Sequence, residues 1–441
     1  MVPDLFASEA LTGERLAEWV VDARARTMDL VADLDDDQLV GPVLPTVNPL
    51  IWEIGHLSWF SEKFVLRDAL GEPPILPHAD AIWDSGAIPH DTRWHLDLPS
   101  RAETLAYMGQ VRDRMVERLL DPRCTDVVRH FALYTVFHED THTEAITYTR
   151  QTLGLRAPTL PGLDRTSVAE PGAGPLPGDV AVPGGRILLG ALRADPFAYD
   201  NEKWAHPVDV APFAIARAPV TQAEFAAFVD DGGYRRPELW GAGEDWLRGT
   251  AAQHPLYWRR GDGGLQRRDF DRWVDLEPHR PVSHVCWWEA QAFCRWAGRR
   301  LPGEAEWELV AGAEPDADGV RDARRVRPWG DDEPITAAHA NLDWRAAGTV
   351  DVAAHAGGDS AFGVRGLLGN VWEWTGSLFA PYPNFEQDAY RDNSWPWFPQ
   401  GRRVLRGGSW ATRARYVRTG YRNYFTPERR DVIAGFRTCA A

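Results

Sequence analysis

His138 and His142, in Phe137-His-Glu-Asp-Thr-His-Thr-Glu144, are the residues of this 441-residue chain whose types and spacing point most directly to chemistry. Residues four apart share one helical face, so the two imidazoles can aim at one point. Neutral imidazole ligates iron, zinc and copper, and a metal needs that convergence. Glu144 lies about 200° around the helix from His142, which makes it a poor third ligand from that face and leaves it a supporting role. Two histidines at this spacing also arise on ordinary helix surfaces, so a third donor is needed from another element. His56, in Asn48-Pro-Leu-Ile-Trp-Glu-Ile-Gly-His56, is the candidate. Trp52, His56, Trp59, Phe60 and Lys63 fall near one stripe, which carries His56 towards a bundle interior, where a histidine is also a common satisfied core residue.

The elements that must position these residues read as helices. The run Phe131–Leu153 has no Gly or Pro until Gly154, the pattern of a helix stopped by glycine. A second helix covers about 48–70, with Asn48 as N-cap and Pro49 in the first turn. Leu11, Leu16, Trp19, Val20, Ala23, Met28, Val31 and Leu34 predict an amphipathic helix within 8–40, broken by Pro42 and Pro45. Ser100 and Glu103 form a capping box for a helix to about Leu120. Residues 71–91 are rich in Pro and Gly and read as a long loop of functional content, with Trp83, Asp84, His90, Asp91 and nearby Arg93. Four long helices with histidines on two of them describe a four-helix bundle holding a metal. Residues 156–185 read as a Pro/Gly-rich connector. Residues 186–441 have short apolar stretches, frequent Gly and Trp, and two helices, 221–230 and 287–297, as in an α+β domain with much irregular backbone.

Composition excludes several classes. The formal charge of −16 and the absence of any Lys/Arg block argue against nucleic-acid binding. No window is long and apolar enough to span a membrane, and the first ten residues lack a signal peptide's basic region and apolar core. Cys124, Cys286, Cys294 and Cys439 form no CxxC pair, as expected of a reduced, cytoplasmic protein. The 21 tryptophans, concentrated after residue 240, suggest aromatic anchors or a pocket for a cationic group.

The second half carries specific phrases: Pro219-Val-Thr-Gln-Ala-Glu-Phe225, Pro281-Val-Ser-His-Val-Cys-Trp-Trp-Glu289, Arg300-Leu-Pro-Gly-Glu-Ala-Glu-Trp-Glu308, Gly369-Asn-Val-Trp-Glu-Trp374, Arg406-Gly-Gly-Ser-Trp410 and Ala434-Gly-Phe-Arg437. In this order they resemble the formylglycine-generating-enzyme fold, a C-type-lectin-like α+β domain. Thr412 and Val417 stand where that family's copper-binding cysteines would be, which disfavours its oxidase chemistry. Cys286 and Cys294 then read as core residues on a helix face.

Joined to a bundle with His…HxxxHxE, this domain resembles the non-heme iron sulfoxide synthases of ergothioneine biosynthesis and their relatives, including selenoneine synthase. The implied fold is α + (α+β): a DinB-like four-helix bundle over 1–155, the connector 156–185, and a formylglycine-generating-enzyme-like substrate domain over 186–441. The resemblance implies Fe(II) held by His56, His138 and His142. It also implies a reaction in which hercynine, a sulfur or selenium donor and dioxygen combine to form a carbon–chalcogen bond at the imidazole carbon between the two ring nitrogens. Three neutral histidines leave three octahedral positions open and bring no ligand charge, which suits an anionic chalcogenolate.

Further residues carry over by position. Tyr390 matches a tyrosine that acts as a proton donor. Asn423 and Tyr424 match residues that bind hercynine, and Arg429 an arginine that holds the donor's carboxylate. Thr141 stands where relatives hold hercynine with glutamine, and Trp410 closes the Arg-Gly-Gly-Ser-Trp phrase and joins the substrate-binding set. Phe425 stands where actinobacterial enzymes place an aspartate for the γ-glutamylcysteine ammonium. The phrases Trp83-Asp-Ser-Gly-Ala-Ile-Pro-His-Asp-Thr-Arg-Trp94 and Phe137-His-Glu-Asp-Thr-His-Thr-Glu-Ala145 resemble the selenoneine-synthase branch. That branch takes a selenosugar, whose hydroxyls Asp84, Ser85, His90, Asp91 or Arg93 would meet. The alternatives are a sulfoxide synthase using cysteine or γ-glutamylcysteine, a non-catalytic lectin-like binding module, and a zinc-dependent hydrolase or thiol transferase.

Overall fold

The computed structural model describes residues 11–161, 173–317 and 319–441, so the N-terminal decapeptide and the middle of the Pro/Gly connector lie outside the described residues. Residues 8–163 and 164–441 form two compact units. In the first, local signals set each helix. Thr12 accepts the Arg15 amide at 3.2 Å and starts α1 (Gly13–Asp29). A separate helix, α2 (Asp36–Val40), begins where Asp35 accepts the Gln38 amide at 2.8 Å. The one helix expected over 8–40 is therefore two, because Asp35 offers the backbone a capping oxygen that starts a new helix. α3 (Leu50–Ser61) runs on into a π-helical stretch, Glu62–Ala69. Its N-cap is Pro49 and not Asn48, whose side-chain amide is drawn instead to Glu53 at 2.6 Å. α4 (Ala79–Trp83) and a 3-10 turn (His90–His95) interrupt the expected 71–91 loop; they are too short for their periodicity to show in sequence. α5 (Arg101–Leu120) opens on the Ser100–Glu103 capping box. α6 (Asp126–Leu153) ends on Gly154 in the left-handed conformation, φ 66°.

α1 packs on α5 and α6, and α3 packs on the same two. A buried ion pair fixes the rotation of α6. Arg24 on α1 donates to both Glu139 oxygens at 2.9 and 3.1 Å, and the Thr27 hydroxyl adds a bond at 2.8 Å. Arg24 also donates to the Met108 carbonyl on α5 at 2.8 Å. With Glu139 pinned to α1, His138 and His142 take the adjoining face of α6, against α3.

In chain order the second unit comprises β1 (Asp179–Val182), β2 (Gly185–Leu189), β3 (His206–Val210), β4 (Phe213–Ala216), α7 (Gln222–Asp230), α8 (Glu244–Thr250), β5 (Trp258–Gly261), β6 (Gly264–Asp269) and β7 (Arg272–Asp275). It continues with α9 (Trp287–Trp296), β8 (Arg299–Arg300), α10 (Glu304–Gly312), β9 (Glu314–Asp316), β10 (Gly319–Arg321), β11 (Trp372–Leu378), β12 (Arg403–Arg406), β13 (Arg422–Phe425), β14 (Ala434–Gly435) and β15 (Cys439–Ala440). One sheet runs β1-β4-β15-β8 and another β13-β12-β11-β14. β1 falls inside the expected connector, because four residues between two Pro-Gly breaks are enough to pair with β4. α8 and α10 add to the two helices expected here; α10 starts where the Glu306 carboxylate accepts the Gly303 amide at 2.6 Å.

The unit's core includes Ile215, Trp307, Leu309, Leu342, Val364 and Leu367. The tryptophans act as anchors: Trp287 donates to the Thr375 carbonyl and Trp374 to the Val285 carbonyl, both at 2.8 Å. All four cysteines are unpaired, and burial pushes the Cys286 thiol well up and the Cys294 thiol to about 12. No helix among the described residues is long and apolar enough to cross a membrane.

Buried Glu304, at the start of α10, accepts from Arg406 at 2.8 Å and Arg422 at 2.7 Å, which joins α10 to β12 and β13. Burial raises the Glu304 carboxyl, but Arg422 and Arg406 outweigh it and hold it below the ordinary carboxylate range. A folded-state pKa below the unfolded one adds stability above about pH 4.3, which is lost as pH falls through the folded value. Glu304→Gln is therefore expected to cost about 3 kcal/mol in urea unfolding at neutral pH. The cost should shrink as the pH is taken below ~4; a constant cost across that range would contradict the assignment.

Candidate metal centre

His56 sits on α3 with 1 % of its surface exposed. Its Nδ1 donates to the Trp83 carbonyl at 2.8 Å, which leaves Nε2 with its lone pair outward. Trp83 can come this close because residue 55 is glycine: a methyl there would lie 2.3 Å from the indole. Trp83 in turn stacks on Tyr107, centroids 5.0 Å apart, and the Tyr107 hydroxyl donates to Glu62 of the π-helical stretch. Trp52 stacks on the His56 ring at 4.9 Å and donates to the Ile82 carbonyl at 2.6 Å. On α6, the His138 ring lies flat on Phe60, centroids 3.6 Å apart at 7°.

His142 is oriented by charge. Its Nδ1 donates to Glu53 at 2.5 Å, so its Nε2 also presents a lone pair. Asn48 holds the other Glu53 oxygen at 2.6 Å, and Arg93 holds the Asn48 oxygen at 2.7 Å. The Arg93 guanidinium lies 4.0 Å over Trp52. The braces of His56 and His142 thus meet at Arg93.

The three histidines offer ligand atoms that all lie within 4.8 Å of one another, the one such cluster of His, Cys, Asp or Glu among the described residues. His138 Nε2 and His142 Nε2 are 3.2 Å apart, close to the separation of two nitrogens that each sit about 2.1 Å from a shared ion. Burial, then the neighbouring His142, lowers His56 to about 3 and His138 well below the ordinary imidazole range. Burial raises Glu53, but His142, His56 and Asn48 outweigh it and leave it at about 2. The neutral imidazoles of His56 and His138 are in the protonation state a divalent metal requires. The donor set therefore fits iron, and equally another divalent first-row metal.

The remaining expected residues are placed as follows. Thr141, half-buried on α6, spends its hydroxyl on the His138 carbonyl at 2.8 Å. Arg93 is a brace: besides Asn48 it donates to the Ser85 and Ile88 carbonyls, both at 3.3 Å. His90 bonds the Val47 carbonyl at 2.8 Å, just ahead of α3. Glu144 is buried but outside the histidine trio.

In the second unit, Asn423, Tyr424 and Phe425 follow one another on β13, opposite Leu405, Val404 and Arg403. Asn423 accepts its neighbour's amide at 2.8 Å. The Tyr424 ring stacks on Phe379 at 3.8 Å and its hydroxyl donates to the Asn393 carbonyl. Arg429 is bound by Asp431 at 2.7 and 2.8 Å and lies 4.9 Å over Phe425. Tyr390 is half-buried, just before a 3-10 turn (Arg391–Asn393). Trp410 is buried, with its backbone amide on the Asn370 carbonyl at 3.1 Å. Thr412 and Val417 are buried too. Sequence reasoning missed Glu53 and Asn48. The signal was present: Glu53 is a carboxylate inside an apolar helical run, three residues before His56, and a buried carboxylate needs a partner.

Comparison with known proteins covers both units. The family model described as the DinB superfamily matches residues 20–146, and that of the sulfatase-modifying factor enzyme 1-like domain matches 165–441. Hercynine oxygenase of Mycolicibacterium thermoresistibile is 40 % identical over 96 % of this chain and 94 % of its own. That of Mycobacterium tuberculosis is 38 % identical over 96 % and 98 %. A formylglycine-generating enzyme of Streptomyces coelicolor is 32 % identical over 62 % of this chain and 93 % of its own.

Two substitutions test the geometry through metal binding alone. Glu53→Gln keeps all three ligands and is expected to weaken ferrous-iron affinity about 10- to 100-fold in an anaerobic chelator competition. Gly55→Ala should push Trp83 off His56, cost about 1–3 kcal/mol of stability and lower affinity as well. Wild-type affinity in both would show that the braces do not set the ligands.

Proposed function

The chain belongs to the hercynine oxygenase family, and on that premise we propose that it uses iron(II) and dioxygen to join a selenium or sulfur donor to the imidazole C2 of hercynine. As a member of that family it is an oxidative enzyme acting on small molecules. The observation that carries the proposal is the convergence of His56, His138 and His142 within 4.8 Å, two of them held in the metal-binding tautomer by Trp83 and Glu53. Iron(II), when bound by these three, supplies open coordination positions and the reducing equivalent through which dioxygen and two substrates are brought into reaction.

The residues of the chain do the rest. In this reading residues 1–155 carry the iron ligands and residues 186–441 contribute groups to substrate. Tyr390 delivers a proton as dioxygen is reduced, a role suited to a phenol. Asn423 offers a side-chain amide to hercynine. Thr141, one residue before His142, presents only a short hydroxyl already turned to its own helix, so it leaves room where a longer side chain would reach. The unpaired cysteines suit a reducing, cytoplasmic setting.

The donor is inferred from what the site lacks. An amino-acid donor needs a carboxylate to hold its ammonium and a cation to hold its carboxylate. Phe425 is apolar at the first position, and Arg429 at the second already grips Asp431. A neutral, hydroxyl-bearing donor loses nothing by either change. We therefore favour a selenosugar over γ-glutamylcysteine or cysteine, which makes the enzyme a selenoneine synthase.

The test is dioxygen uptake by anaerobically iron-loaded protein, with the product identified by mass spectrometry. Uptake is expected when hercynine and a selenosugar are both present, with a selenium-bearing product and much weaker turnover of the two thiols. Efficient turnover of γ-glutamylcysteine alone would reverse the donor assignment, and no uptake with any donor would overturn the reaction. Tyr390→Phe should retain iron and lose about 100-fold or more in kcat.

A further inference from the structure

Tyr424 and Asp200 hold the same short segment from two sides. We propose that they are positioning residues that clamp the segment 388–394 and so fix Tyr390; this rests on the reading of Tyr390 as proton donor. Asp200 begins a 3-10 turn, Asp200–Glu202, whose three residues are all buried. The turn is held in place by other parts of the unit: Glu202 pairs with Arg418, and the Asn201 carbonyl accepts from Arg422. From this fixed base Asp200 accepts two bonds on one oxygen, from the Asn393 side-chain amide at 2.7 Å and from the Ser394 hydroxyl. Neighbouring Lys203 pairs with Asp388 at the other end of the segment.

The second jaw is β13. Tyr424 stacks flat on Phe379, and its hydroxyl donates to the Asn393 carbonyl. Asn393 is thus held through its side chain by Asp200 and through its backbone by Tyr424. Its own amide donates to the Tyr390 carbonyl at 3.2 Å, which closes the turn that Tyr390 leads into. Tyr390 is half-buried and opens that turn, so the turn sets the backbone from which its phenol projects. The clamp reassigns Tyr424: its hydroxyl works on Asn393, whereas the family resemblance has Tyr424 bind hercynine.

The assignment separates from hercynine binding by kinetics. Tyr424→Phe keeps the ring and its stack but removes the bond to Asn393. A clamp predicts that kcat falls about 10- to 100-fold while KM for hercynine stays within about two-fold. Asp200→Ala should behave likewise, and Asp200→Asn, whose amide oxygen still accepts, should lose less. The Tyr390→Phe/Tyr424→Phe double variant should be no slower than Tyr390→Phe alone, since the clamp acts only through Tyr390. Should Tyr424→Phe fail to fold, Asn393→Ala, which removes the side-chain arm alone, carries the same comparison.

A raised KM with unchanged kcat in Tyr424→Phe would place its hydroxyl on substrate and overturn the clamp, as would additive losses in the double variant. Full activity in Tyr390→Phe would instead remove the role of Tyr390, and the clamp's purpose with it. An impaired Tyr390→Phe beside an unimpaired Tyr424→Phe sinks the clamp alone.

Discussion

The hydrogen bond from His142 to Glu53 is the contact on which the helical unit's chemistry depends. It brings a negative charge into an apolar interior, where an unpaired carboxylate would cost several kcal/mol (about). The sequence around it answers that cost. Asn48 leaves the helix cap to reach Glu53, Arg93 reaches Asn48, and the Arg93 cation lies on Trp52, which lies on His56. A single charge therefore organises the braces of two of the imidazoles on two different helices. The third imidazole, His138, is flattened against Phe60 and turned by the Arg24–Glu139 pair that fixes α6.

The second unit solves a related problem with more charges. Glu304 holds Arg406 and Arg422 together, Glu373 holds Arg437, and Glu202 holds Arg418, all buried. Directed ion pairs and indole donors to carbonyls tie its short strands and long irregular segments to one another. The same buried frame supports β13 and the 3-10 turn at Asp200, between which the Tyr390 segment is held.

Much of this was readable in the residues, in proportion to how local each signal is. The capping box at Ser100, the glycine stop at Gly154 and the i, i+4 histidines each depend on a few neighbours, and each forms as expected. The division of 8–40 at Asp35 and the strand at 179–182 were missed because a single cap or a distant pairing partner decides them. Phe425 and the histidine pair could be picked out by position. The commitment of Arg93 to Asn48 and of Arg429 to Asp431 could not, since a guanidinium's partner is chosen by the tertiary fold. Arg93, read as a substrate contact, reaches Asn48 and lies over Trp52 in the structure.

We infer that three imidazoles and no carboxylate ligate one iron, with Glu53 acting through His142. X-ray absorption at the iron edge of the anaerobically loaded protein tests it most directly. One iron per chain is expected, with the multiple-scattering signature of three imidazoles that falls to two in His142→Ala. A first shell with fewer than three imidazoles in the unaltered protein, or one that His142→Ala leaves unchanged, would contradict it.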